Sequence, residues 1–397
     1  MLRGVARLGG IEAISALLDE RHVRLAAHLT RFRETQLAST PAAEDDESAR
    51  RAARAIVRGL GEAGFYAPIR DGDLRGLCLT REQIAMASPL ADAVVALQAL
   101  GAIPLTIAGT DAQRSQWLDA ILTGRVMTAF AMTEPEAGSD VAAMRTSARR
   151  DGDGWVLDGE KHLISNAGIA DLYLSFAVTA PGDGSRGISV FLVPSDAPGL
   201  TFEGAQVMAA PHPLGRIRFE ACRVGGDALL GELNGGFKLG MMTLDRVRPS
   251  VGAAACGMAA HALIETLEHV SSRRQFGEPL ASFQLVREKI GRMATELEAA
   301  RLLVYRAAWQ KDHGEGRITL EAAMAKSFAT EAAQRVIDEA VQIAGGRGVV
   351  VGHPVERLYR AVRALRIYEG ATEIQRLIIA GELLAPLRSA STPDAGS

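Results

Sequence analysis

The chain has 397 residues, 48% of them hydrophobic, and a formal net charge of −3. That length buries a large core in two or three domains, and the near-neutral balance gives no electrostatic reason to expect nucleic acid. No run of eighteen apolar residues suggests a membrane span. Cys78, Cys222 and Cys256 are odd in number and widely spaced, so neither a disulfide framework nor a metal site is expected, and a reducing, cytoplasmic setting is. Met1 to Leu8 resembles a short basic lead-in, but Glu12, Asp19 and Glu20 follow within a helical pattern, against a targeting peptide.

In chain order, 11–37, 47–64, 80–100 and 111–123 carry helical periodicity, separated by Pro41, the Gly72 region and Pro104, and predict an N-terminal helical domain over 1–124. The mostly apolar run from Ala91 to Leu100 marks a helix buried between neighbours. From Val126, β-branched and aromatic runs at 126–132, 154–158, 172–178, 187–193 and 215–220 alternate with glycine-bearing turns. Asp151-Gly-Asp-Gly154 reads as a hairpin turn, and the whole predicts a central β-sandwich or barrel over 125–233. Two apolar seams follow. Val286, Ile290, Met293, Leu297, Ala300 and Val304 form one; Leu320, Met324, Phe328, Ala332 and Val336 form the other. They predict a C-terminal four-helix bundle over 234–387, with a disordered tail at 388–397. The expected fold class is α+β, mostly α.

Five stretches carry chemistry. In the first, Glu369 sits beside Gly370 in a turn, ahead of Thr372 and Gln375 at capping-box spacing; a carboxylate on such a rigid turn suits proton transfer, and a solvated loop acid is the alternative. Phe130-Ala-Met-Thr-Glu-Pro-Glu-Ala-Gly-Ser-Asp140 offers Thr133 and Ser139 hydroxyls around Gly138, for a polar ring or an anion, or merely for its own β-turn. Gly159-Glu-Lys-His-Leu-Ile-Ser-Asn166 can present Ser165 and Ile164 to a ligand, or be a half-exposed strand; His162 reads as a surface histidine. Ser272-Arg-Arg-Gln-Phe-Gly277 suits a diphosphate attached to a purine, or is a basic helix end. Gln342-Ile-Ala-Gly-Gly-Arg-Gly348 could admit a pyrophosphate, or simply stop a helix.

These motifs, in this order, resemble the acyl-CoA dehydrogenase family of flavoproteins over about 11–386. The resemblance implies FAD between β domain and bundle, with Phe130, Met132, Thr133, Leu163 and Ser165 along the flavin and Ser139 at the flavin phosphate or the thioester. It implies that Arg273, Gln275, Phe276, Gln342, Gly345 and Gly346 reach the FAD of a neighbouring subunit, giving a homodimer or homotetramer. Thr372 and Glu373 join the cofactor set; Asp245, Arg248, Tyr368 and Gly370 join the acyl-CoA set. The implied reaction is α,β-desaturation of an acyl-CoA thioester to trans-2-enoyl-CoA, with Glu369 removing the α-proton, a hydride passing to flavin N5, and an electron-transferring flavoprotein as acceptor. Two departures stand out. Leu163 replaces a large aromatic residue common in the family on the acceptor side, and Val247 occupies the position where some members carry their base. A flavin oxidase, a dehydrogenase of carrier-protein-bound thioesters and a flavin-free scaffold remain as alternatives.

Overall fold

The computed structural model describes residues 9–314 and 316–390, so the basic lead-in at 1–8 lies outside it. The N-terminal part holds helices α1 (Glu20–Phe32), α2 (Asp46–Glu62), the single turn α3 (Ala67–Arg70), α4 (Leu74–Ala87), α5 (Pro89–Ala108), α6 (Asp111–Gln113) and α7 (Asp119–Leu122). The expected helix at 80–100 is two helices. Ser88 adopts an extended backbone, its side chain accepts the Ala91 N–H, and Pro89 opens α5, so one chain of intrahelical bonds ends and another begins. Pro104, expected to separate helices, instead lies inside α5.

One eight-stranded sheet forms the middle. Its strands are β1 (Thr128–Ala131), β2 (Ser147–Asp151), β3 (Gly154–Ser165), β4 (Leu172–Val178), β5 (Ile188–Pro194), β6 (Leu200–Ala205), β7 (Leu214–Val224) and β8 (Leu229–Leu230). The order is β6-β7-β3-β2-β4-β5-β8, with β1 pairing parallel to β4. Asp151 and Gly154 pair across the expected hairpin. β2 was not expected because Ser147–Asp151 shows no alternation of apolar and polar residues; β6 was not expected either, although Leu200 to Glu203 alternates, and Thr201, Phe202 and Glu203 are all exposed.

Helix α8 (Gly236–Ser272) follows, then the hairpin β9 (Arg274–Gln275) and β10 (Glu278–Pro279), and helices α9 (Gln284–His313), α10 (Thr319–Ala344), α11 (Pro354–Leu365) and α12 (Thr372–Ala390). Met293, Leu297, Ala300 and Val304 are buried on α9 as the first seam requires. On α10 Ala332 and Val336 of the second seam are buried together with Ala322, Ala325, Ala329 and Ala333, while Leu320 and Met324 are half-buried and Phe328 is exposed. Small residues win there because α8 lies close: a Cβ on Gly252 would meet the Ala329 methyl at 3.2 Å and Val304 at 2.7 Å. α12 carries on through 388–390, where a tail was expected; 391–397 lie outside the described residues.

Helices α5 and α8 are long and apolar enough to cross a membrane, but 78% of each apolar window is buried inside the fold, as befits core helices. Gly257 of α8 lets that helix meet α4 so tightly that a Cβ would lie 2.0 Å from the Glu82 carbonyl oxygen. Glu82 in turn accepts from Arg301 of α9 at 2.7 Å, all of it buried, which fastens the N-terminal helices to the bundle.

Candidate active site

The turn between α11 and α12 is shaped by two successive left-handed residues, Glu369 at φ 54° and Gly370 at φ 94°. The glycine adopts that region freely; the glutamate does not, at a cost of about 1–3 kcal/mol that the surroundings must offset. They do so through the backbone carbonyls. Arg248 Nε donates to the Glu369 carbonyl at 3.1 Å, Lys326 Nζ to the Gly370 carbonyl at 2.8 Å, and Gln375 Nε2 to both at 3.3 and 3.1 Å. The expected capping box is therefore absent. Gln375 reaches back to the turn, and the Thr372 hydroxyl donates to Glu331 at 2.8 Å, where Arg366 also binds at 2.8 Å.

So held, Glu369 faces a cavity of about 340 Å³. One wall is α5, through Leu90, Ala93, Ala96, Leu97 and Leu100; the sheet contributes Phe130, Leu163 and Ser165, and the loop before β7 adds Met208 and His212. Phe130 is fixed edge-on to Phe176 with centroids 4.9 Å apart. Oε2 of Glu369 is buried and has no hydrogen-bond partner among the described residues. Burial pushes the Glu369 carboxyl above its ordinary range, opposed by the positive charges of Arg81, Lys326 and Arg248.

Strand β3 delivers Leu163 and Ser165 to one side because the backbone breaks register: Leu163 has φ 56° and the pairing with β7 shifts between Lys161 and Ile164. Ile164, expected to face a ligand with Ser165, is buried in the sheet's own core. Lys161 is buried too, tied to Glu134 at 2.8 Å, and burial lowers it to about 8. His162, expected at the surface, is half-buried against Gln206.

The structure thus gathers Phe130, Leu163, Ser165, Tyr368 and Glu369 around one cavity, with Gly370 in the turn beside it. Arg248 and Asp245 lie just behind, buried and paired at 2.8 Å; Asp245 also accepts from Arg317 and Thr319. Arg248 is therefore both an ion-pair partner and a support of the turn that carries Glu369. Met132 and Thr133 sit at the end of β1 outside the lining, their carbonyls accepting from Lys161 and His162, and Ser139 is exposed. Thr372 is buried against Glu331, while Glu373 is exposed. Arg273, Gln275 and Phe276 form an exposed hairpin, with Phe276 94% accessible. Gln342, Gly345 and Gly346 are exposed at the end of α10. Between these two groups runs a second cleft of about 190 Å³, lined by His269, Ser272, Ala344 and His353.

Four features near the cavity were not read from the sequence. His212 Nε2 lies 2.7 Å from Ser165 Oγ, and its burial lowers its pKa to about 4, so it is neutral at physiological pH. Arg81 and Asp92, both buried, form a two-pronged pair at 2.8 and 3.0 Å, with Arg81 also donating to Ser250 at 3.0 Å. Arg81 is thus a buried arginine against the apolar α5 run. In sequence the pair shows only as opposite charges eleven positions apart, Arg81 being one of three charges in α4 and Asp92 standing in the apolar α5. Lys326, which holds the turn, looks in sequence like any polar helix residue, and Gln375 was expected to cap its own helix rather than to bind the carbonyls of the turn.

The residues fit a flavin. Phe130, Leu163 and the Ser165 hydroxyl make an apolar wall with one polar group, as a flat tricycle with polar edges requires, and the orphaned Glu369 oxygen shares the same cavity. Around Gly345 and Gly346 the backbone is open, with no described residue within 4 Å of where a Cβ would stand, which leaves a diphosphate room to approach.

A helical domain, a sheet domain and a bundle around an apolar cavity that holds a buried carboxylate are the architecture and site expected of a flavin-dependent dehydrogenase. The N-terminal, middle and C-terminal domain models of the acyl-CoA dehydrogenases match residues 19–125, 129–222 and 234–384. A probable acyl-CoA dehydrogenase of Mycobacterium tuberculosis is 38% identical over 376 residues, covering 92% of this chain and 96% of that protein. Butyryl-CoA dehydrogenase from Megasphaera elsdenii superposes with a TM-score of 0.84 at 34% identity, over 92% of this chain and 99% of that one. A glutaryl-CoA dehydrogenase from Mycobacterium smegmatis in complex with FADH2 does so with a TM-score of 0.85 at 26% identity, over 94% and 96%. The chain belongs to the acyl-CoA dehydrogenase family: it is an FAD-dependent oxidoreductase of acyl-CoA metabolism.

Proposed function

We propose that the protein desaturates the α,β-bond of an acyl-CoA whose acyl chain is uncharged, with Glu369 as the base. The observation that carries this is the buried, unpaired Glu369 Oε2 on an apolar cavity. In water a carboxylate is too weak a base for a thioester α-proton. Burial destabilises its charged form, which makes Glu369 a stronger proton acceptor. Glu369 takes the α-proton, the β-hydrogen leaves with its electron pair, and a double bond forms between the two carbons. Bound FAD contributes two-electron acceptance of that hydride. The clamp on the carbonyls of 369 and 370 holds the carboxylate in one direction through the transfer, and the α5 wall keeps water from its unpaired oxygen.

The acyl-chain reading rests on the wall and on Arg81. Leu90, Ala93, Ala96, Leu97 and Leu100 offer no charge, and the Arg81 fork is already filled by Asp92. A chain ending in a second carboxylate gains no ion pair from that guanidinium. We further propose a homodimer or homotetramer in which the exposed Arg273, Gln275 and Phe276 hairpin is covered by a second copy, and an electron-transferring flavoprotein as acceptor; the half-exposed Leu163 at the cavity supports an apolar docking edge.

Anaerobic mixing of the FAD-loaded protein with a panel of acyl-CoAs tests the reading. Flavin absorbance bleaches with monocarboxylic acyl-CoAs and not with dicarboxylic ones. Failure of every acyl-CoA to bleach overturns the reading, and oxygen consumed in step with product makes the protein an oxidase instead.

A further inference from the structure

The base-bearing turn is held by three side chains from three helices, and they are not equivalent. Arg248 of α8 is shared with Asp245, and Gln375 of α12 is neutral and spread over two carbonyls at 3.1 and 3.3 Å. Lys326 of α10 makes the shortest contact, 2.8 Å, to a single acceptor, the Gly370 carbonyl. It is fully buried in a stripe of alanines, where an ammonium has no reason to be unless it binds something. We propose that Lys326 is a positioning residue for the base: by gripping the Gly370 carbonyl it fixes the left-handed Glu369–Gly370 turn and so aims the carboxylate into the cavity. The proposal rests on Glu369 being the base.

The geometry explains why a lysine is used. A turn with two successive positive φ values leaves its carbonyls pointing away from any helical partner, and the Glu369 conformation relaxes if they are released. A charge-assisted bond to Gly370, one residue from the carboxylate, is roughly twice as strong as a neutral one and resists that relaxation. The charged groups facing Lys326 are Glu369 in the turn, Arg248 on α8, Glu331 on its own helix and Glu373 on α12. Glu331 is already bound to Arg366 and Thr372, so it does not draw the ammonium off the turn. Burial, reinforced by Arg248 and opposed by the acids, lowers Lys326 to about 8. The grip is therefore charged below pH 8 and weakens above it, which puts an alkaline limb on turnover; Glu369, which must be ionised, supplies the acid limb.

The test compares Lys326→Met, Lys326→Arg and Glu369→Gln with wild type as FAD-loaded protein, following kcat and KM against pH with a bleaching acyl-CoA. Lys326→Met should lower kcat by about 10²-fold, the effect of an ångström-scale misplacement, with little change in KM, and should lose the alkaline limb near pH 8. Lys326→Arg should recover most of kcat and carry no limb in that range, because a guanidinium stays protonated. Bound FAD and circular dichroism establish that each variant is folded. A folded Lys326→Met with wild-type kcat and an unchanged alkaline limb overturns the proposal, as does a folded Lys326→Arg whose limb stays near pH 8. Glu369→Gln separates the two ideas: if it too turns over normally, the base assignment has failed rather than the role of Lys326. Should Lys326→Met not fold, the limb in Lys326→Arg decides.

Discussion

The Arg81–Asp92 pair lies within electrostatic reach of Glu369, and breaking it in two ways should move the base in opposite directions. Both residues are fully buried, and Arg81 is the largest of the charges that lower Glu369, while Asp92 raises it. Asp92→Asn removes the raising charge and leaves the arginine uncompensated, so Glu369 becomes more acidic and the acid limb of kcat shifts to lower pH. Replacing the pair together, Arg81→Met with Asp92→Leu, removes the dominant lowering charge, and the limb shifts to higher pH. Stability separates the variants as well. Leaving one buried charge without its partner costs about 3–5 kcal/mol, whereas exchanging a buried pair for apolar residues is often neutral or better. The assay is kcat against pH on the FAD-loaded protein, alongside urea midpoints. Limbs that move in the same direction, or a single variant as stable as the double, would refute this electrostatic account of the site.

Glu369→Gln should melt at a higher temperature than wild type at pH 7. Its folded pKa is raised, so ionisation in the fold costs stability as pH climbs above the unfolded value of about 4.3, and the difference between the two proteins should vanish below that pH. His212 behaves as the converse: its folded pKa of about 4 lies below the unfolded value of about 6.5, so stability is full above 6.5 and is lost as pH falls toward 4. His212→Gln should melt with a smaller drop between pH 7 and pH 5 than wild type. Leu163→Trp should leave anaerobic bleaching intact while changing the rate with an electron-transferring flavoprotein, since Leu163 is half exposed where the cavity opens.

Sequence carried the three-part architecture because its signals are local: helical period in α9, turn glycines at 152 and 154, and the apolar run of α5. It also marked Glu369 as a candidate, through the glycine that follows it: Gly370 takes up the left-handed conformation freely and so signals a sharp turn. What it did not carry is tertiary. Gln375 stands at capping-box spacing, yet the carbonyls freed by the turn compete for its amide and win. Lys326 lies in a helix whose polar residues all look alike until the turn from α11 to α12 is laid against it. Arg81 and Asp92 meet only because α4 and α5 are separate helices, which Ser88 and Pro89 signalled and the periodicity alone did not. His212 reaches Ser165 from a loop with no apolar period to read.

The claim on which the rest depends is that Glu369 is the proton acceptor, and it is tested most directly in one turnover. Wild type and Glu369→Gln, each loaded with FAD, are mixed anaerobically with the same acyl-CoA and the flavin absorbance is followed. The account predicts that the variant keeps its FAD but bleaches at least about 10²-fold more slowly. Bleaching at a rate near that of wild type would contradict it.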